Sequence, residues 1–89
     1  MRRSIPAKEK RTFEWNSNLK AKKVSLAGSF NNWTPIAMPK RKGKFQTSLE
    51  LAPGEYRYKF IVDGEWQHDP AAEQSVPNEF GTLNSIVRV

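Results

Sequence analysis

The chain is 89 residues long, with 37% apolar residues, ten aromatic rings and a formal net charge of +6. That length holds one domain, since the smallest domains run to about 50 residues. With no cysteine and a single histidine, His68, the composition excludes disulfides, thiolate chemistry, cysteine-bound zinc and any multi-histidine metal site.

Residues 1–10 read as a flexible basic arm. Residues 1–23 carry eight Lys/Arg against Glu9 and Glu14, while residues 24–89 balance seven basic against seven acidic side chains. The excess charge therefore sits at the N-terminal end, which argues against a basic face along the domain and against nucleic acid as a partner. MRRSIPAKEKR has charges but no apolar stretch behind them, unlike a secretory signal. No apolar run approaches the roughly 18 residues of a membrane span. The expected compartment is the cytoplasm, with no membrane partner.

From residue 11 onward the pattern is β. Phe13 and Trp15 alternate with Glu14, and Val24 and Leu26 alternate with Ser25. Phe45, Thr47, Leu49 and Leu51 share one face against Gln46, Ser48 and Glu50. Residues 56–62 give the strongest signal: Tyr56, Tyr58, Phe60 and Val62 on one face, Arg57, Lys59 and Ile61 on the other. The last seven residues are β-rich, with inward parity open between the two registers. Arg41-Lys42-Gly43, Ala52-Pro53-Gly54 and Asp63-Gly64 mark the turns, the last favouring a tight hairpin. The cluster Lys40, Arg41, Lys42 and Lys44 reads as a solvated turn. Asp69-Pro70 opens an irregular stretch to about Gly81. About six short strands with frequent turns predict a single-domain, all-β, immunoglobulin-like β-sandwich.

Two tryptophans stand where a core does not need them. Trp33 follows Phe30-Asn31-Asn32 in a loop, and Trp66 follows the Asp63-Gly64 turn. Each either caps the sandwich or presents a flat apolar ring to a ligand. With amide and cationic donors nearby, such rings suit a sugar, which stacks through its C–H face and needs directed partners for its hydroxyl rim. Asn31, Asn32, Lys59 and Asn84 qualify by type. From spacing alone, Lys59 reads as an ordinary solvated sheet lysine, although Ile61 on the same face hints that this face is not simply wet. Asp63, Glu65 and Asp69 invite a glycosidase test. Turn chemistry explains Asp63 and Asp69, and hairpin alternation explains Glu65, so no catalytic residue is expected. No phosphate loop, dinucleotide fingerprint or metal spacing is present, and no cofactor or metal is expected.

Three segments together are specific: VSLAGSFNNW (24–33), YKFIVDGEWQHDP (58–70) and FGTLNSIVRV (80–89). In this order and spacing they resemble carbohydrate-binding module family 48. That family includes the glycogen-binding domain of the AMP-activated protein kinase β subunit and the early-set domain at the N-terminus of isoamylases and branching enzymes. The resemblance spans residues 11–89 and implies an immunoglobulin-like sandwich that binds an α-1,4-linked glucan without catalysis. By matched motif, it implies that Trp33 and Trp66 stack on glucose units and that Lys59, Thr82 and Asn84 hydrogen-bond the sugar. Phe80 stands where the kinase subunits carry leucine, and its bulkier ring either adds stacking or blocks a cyclic ligand. Arg41 occupies the position of a regulatory serine in the kinase subunits, so that phospho-switch is expected to be absent, as is the scaffold region that follows the module there. The expected partners are an α-glucan polysaccharide or maltooligosaccharide and a glycogen-metabolising enzyme. The alternative function is a regulatory or scaffolding partner of such an enzyme with a vestigial sugar site.

Overall fold

The structure, a computed structural model, describes residues 7–15 and 20–89. Most of the expected N-terminal arm lies outside the described residues. The first strand already begins at Glu9, so Glu9 and Lys10 belong to a ladder, paired with Leu51 and Glu50.

Among the described residues nine strands follow one another: β1 (Glu9–Trp15), β2 (Val24–Gly28), β3 (Ile36–Ala37), β4 (Lys40–Arg41), β5 (Lys44–Leu51), β6 (Glu55–Val62), β7 (Glu65–Gln67), β8 (Gln74–Pro77) and β9 (Leu83–Arg88). A 3-10 turn, Ser29–Asn31, follows β2. The strands form two antiparallel sheets, one ordered β1-β5-β4 and one ordered β3-β2-β6-β9-β8 with β7 also on β6. This is the expected all-β sandwich. Among the described residues no helix is long and apolar enough to cross a membrane.

The alternation read from the sequence places the core. Phe13, Trp15, Phe45 and Leu51 of the smaller sheet meet Val24, Leu26, Tyr58, Phe60 and Val62 of the larger one, all buried. Aromatic rings interlock between the sheets: Phe13 meets Tyr58 edge-on with centroids 5.0 Å apart, and Trp15 meets Phe60 at 5.2 Å. Such pairs add about 0.5–1.5 kcal/mol each beyond the area they bury.

Both short hairpins follow from residues that tolerate positive φ. Asp63 (φ 49) and Gly64 (φ 88) join β6 to β7 with Val62 opposite Glu65. Lys42 (φ 51) and Gly43 (φ 79) join β4 to β5 with Arg41 opposite Lys44. Asp63 does more than turn the chain, because its Oδ1 accepts from the backbone N–H groups of Lys22 and Lys23 at 2.9 and 2.8 Å.

Two features differ from the sequence reading. The irregular stretch 69–81 contains β8, an edge strand without apolar alternation, which ends on Pro77 where the lost N–H costs no central ladder bond. In β9 the parity left open resolves with polar Ser85 inward and fully buried. Its position opposite Tyr58 requires this, and its Oγ accepts from the Asp69 N–H at 2.6 Å. Val87 and Val89 pack on the core with it.

Gly28 ends β2 where the chain passes close over β6. A Cβ there would lie 2.6 Å from Arg57 O and 2.6 Å from Phe30 Cε2. Gly28→Ala is expected to lower stability by about 1–3 kcal/mol through overpacking. Denaturant titration checks this, and an unchanged midpoint would mean that β6 can withdraw.

The Tyr58 Oη donates to Asp69 Oδ2 at 2.7 Å. Burial first, then that hydrogen bond and the charge of Asp69, push the phenol above its ordinary value of 10.0. The folded chain therefore holds this proton more tightly than the unfolded chain. Its contribution is complete below pH 10.0 and is lost as pH rises above that value. Tyr58→Phe should lose stability at neutral pH, by about 1–3 kcal/mol, and then decline less steeply in alkali than the native chain. Denaturant midpoints at about pH 7 and about pH 11 test this, and parallel declines would rule it out.

Candidate functional site

The outer face of the larger sheet is set by the registers already described. Arg57, Lys59 and Ile61 of β6 share it with Ala27 of β2, Trp66 of β7 and Ile86 of β9, their cross-strand partners. β7 and β9 flank the same edge of β6 in succession, β9 along Glu55–Tyr58 and β7 along Phe60–Val62. Lys59 falls at the junction, where neither strand pairs with it.

This junction explains a departure from expectation. Lys59 is not a solvated sheet lysine: it is only 7% exposed. Its neighbour across β2, Ala27, is too small to hold it upright, and its ammonium reaches Thr82 Oγ1 at 2.9 Å. A lysine stem covers apolar surface while its head seeks polar partners.

Trp33 reaches the same face by a bolted loop. Asn31 Oδ1 accepts from Gly28 N at 3.1 Å, Asn31 Nδ2 donates to Thr34 O at 2.8 Å, and Trp33 N donates to Gly28 O at 2.9 Å. Asn31 therefore braces the loop, and it does not line the groove described below. Asn32 and Trp33 both take left-handed backbone, φ 55 and 58. Asn32 tolerates this through its short side chain, and it does not line the groove described below. For a tryptophan the conformation costs about 1–2 kcal/mol, a strain of the kind that gathers at ligand sites.

The third contributor is the loop between β8 and β9. Phe80 stands at its tip, 81% exposed, and Trp66 is 49% exposed. Trp33 is half-buried, Asn84 is buried and Thr82 is exposed. Together these side chains surround a groove of about 860 Å³ lined by Ser29, Trp33, Arg57, Lys59, Trp66, Pro77, Asn78, Glu79, Phe80, Thr82 and Asn84. Trp33, Lys59, Trp66, Phe80, Thr82 and Asn84 converge there, while Asn31 and Asn32, also chosen by type, do not line it. Sequence reasoning missed Ser29, Arg57, Pro77, Asn78 and Glu79. Arg57 was legible as a same-face neighbour of Lys59. Asn78 and Glu79 carried no pattern, since they lie in the stretch read as irregular.

The carboxylates tested for catalysis are elsewhere. Asp63 caps the loop at Lys22 and Lys23, Asp69 accepts from Tyr58 and from the Ala71 N–H, and neither they nor Glu65 line the groove. Glu79 is the one carboxylate among the lining residues, and glycoside hydrolysis uses a pair. Among the described residues no group of three or more His, Asp or Glu side chains could hold a metal ion.

Residues 10–89 match the family model described as the glycogen recognition site of AMP-activated protein kinase. The chain belongs to this family. The module is 42% identical over 85 residues to the rat AMP-activated protein kinase subunit β-1, covering 94% of this chain and 30% of that protein. It is 43% identical over 77 residues to the pig β-1 subunit, covering 86% and 61%. It is 41% identical over 87 residues to the mouse β-2 subunit, covering 94% and 31%. The chain thus spans less than a third of the rat and mouse relatives. Among solved structures, a maltogenic amylase from S. marinus superposes with a TM-score of 0.68 at 28% identity, over 90% of this chain and 13% of that one. The early-set sandwich of carbohydrate-binding module family 48 is therefore the fold of this module.

Proposed function

We propose that the module binds α-1,4-linked glucan, as glycogen, starch or maltooligosaccharide, without acting on it. The observation that carries this reading is the convergence of Trp33, Lys59, Trp66, Phe80, Thr82 and Asn84 from separate elements onto one open groove. Trp33 and Trp66 offer apolar faces for pyranose C–H surfaces, while Lys59, Thr82 and Asn84 supply directed polar contacts to the hydroxyl rim. Phe80, projecting from its loop, adds a third ring to the groove. An α-1,4 chain curves, and platforms on separate elements suit a curved chain better than a flat β-1,4 ribbon. The names of the relatives support a second partner, an AMP-activated protein kinase assembly, to which the module would bring the glucan.

Calorimetric titration with maltoheptaose tests the reading. The expected Kd lies between about 1 μM and 1 mM, with cellohexaose much weaker. A folded sample that shows no heat and no chemical-shift change at millimolar maltoheptaose would overturn it.

A further inference from the structure

Asn78 lies between Pro77, which ends β8, and the loop that carries Phe80. Its backbone closes that loop, with its N–H donating to Thr82 O at 2.8 Å and its carbonyl accepting from Gly81 N at 3.2 Å. Its side chain is fully engaged as well. Oδ1 accepts from the N–H groups of Phe80 and Thr82 at 2.9 and 3.1 Å. Two backbone donors can converge only on an oxygen, so the orientation of the amide is settled by its neighbours. Nδ2 is then left to donate, and it does so to Thr82 Oγ1 at 2.8 Å and to Asn84 Oδ1 at 3.2 Å.

The consequence passes to the groove. A hydroxyl has one hydrogen and two lone pairs. Thr82 Oγ1 already accepts from Asn78 and from Lys59, so its hydrogen is what remains for a ligand. Asn84 turns its oxygen to Asn78, which leaves its NH2 group and one lone pair of that oxygen. Lys59 has no acceptor at all, and two of its three N–H groups have no partner among the described residues. We infer that Asn78 is a positioning residue that makes Thr82, beside Lys59, present only a donor to the groove, so that this pair recognises a sugar through the lone pairs of its oxygens. The inference rests on the glucan reading above and adds a polarity to it. Ligand oxygens are required where they meet Lys59 and Thr82, ligand O–H hydrogens are not, and a protonated amino group placed against that pair is refused.

Asn78→Asp is the decisive variant. The carboxylate keeps the size of the amide and both acceptor bonds to the loop backbone, but it cannot donate. It draws the Thr82 hydrogen and the Lys59 ammonium away from the groove. Maltoheptaose affinity, measured by calorimetry beside the native chain, is expected to fall about tenfold with a near-native thermal midpoint. Because Asn78 acts through Thr82, combining it with Thr82→Val should weaken binding by less than the product of the single losses. Native-like affinity of Asn78→Asp, or losses that multiply, would overturn the inference while leaving the glucan reading intact. Failure of the native chain to bind maltoheptaose would remove the glucan reading, and this inference with it. Should Asn78→Asp not fold, the ligand is varied on the native chain, with maltotriosides bearing hydrogen or fluorine in place of single hydroxyls. Fluorine accepts but does not donate. Where the deoxy sugar binds weakly the fluoro sugar should recover much of the affinity, and equal weakness of the two would overturn the inference.

Discussion

Trp66→Ala should fold as the native chain does and lose its retention on insoluble starch. The indole is 49% exposed, and β7 is held to β6 through backbone pairing of Ile61 with Trp66, which alanine preserves. Its removal takes away a platform without opening a core cavity. A tryptophan that anchors an interface typically costs about 2 kcal/mol or more on truncation, roughly thirtyfold in affinity. Thermal midpoint and starch retention measured on the same sample decide the matter, and native retention by the folded variant would remove Trp66 from the site. Trp33 is better tested by Trp33→Gly. Glycine relieves the left-handed backbone at φ 58, which offsets part of the apolar area lost from a half-buried ring.

Trp15→Ala should do the reverse. This indole is 3% exposed and sits edge-on to Phe60. Truncating a core tryptophan costs about 3–5 kcal/mol, against a total of roughly 4–13 kcal/mol for a domain of this size. The thermal midpoint should drop by at least about 12 °C, at about 4 °C or more per kcal/mol. Where the variant remains folded, it should still bind starch, because Trp15 belongs to the smaller sheet and the groove to the larger. Trp15→Phe should be far milder: Trp15 Nε1 is buried without a hydrogen-bond partner among the described residues, and phenylalanine removes that orphan donor. Denaturant curves of the two variants check this, and equal losses would place the value of Trp15 in its nitrogen instead of its ring contacts.

The contrast between these tryptophans was visible in the sequence because it is a contrast of position. Trp15 alternates with Phe13 in a strand, whereas Trp33 and Trp66 follow turn residues. The core faces of β5 and β6 and both two-residue hairpins were legible for the same reason, since period and turn chemistry are local. What escaped depends on partners distant in the chain. β8 has no alternation of its own and exists because β9 offers it a ladder. The parity of β9 is decided by Tyr58 across the sheet and by the Asp69 N–H, neither of which the run Leu83–Val89 encodes. Lys59 has the spacing of a wet residue, and only the change of neighbour from β9 to β7 beside it accounts for its burial. Asn78 is the same case in the groove, its importance arising from four hydrogen bonds that no local pattern announces.

The two-residue connection at Asp63-Gly64 also limits how this chain can change in length. Trp66 faces outward because it stands opposite Ile61, an odd-numbered position in a strand whose even positions form the core. One residue inserted between Gly64 and Trp66 would carry the indole to the opposite side of the sheet, unless a bulge absorbed it. One residue added to each arm of the hairpin would leave the pairing with Ile61 untouched and move only the tip. Length variation at this hairpin should therefore be tolerated in steps of two and, where no bulge absorbs the extra residue, rejected in steps of one, a parity rule that a small insertion library selected on starch would reveal directly.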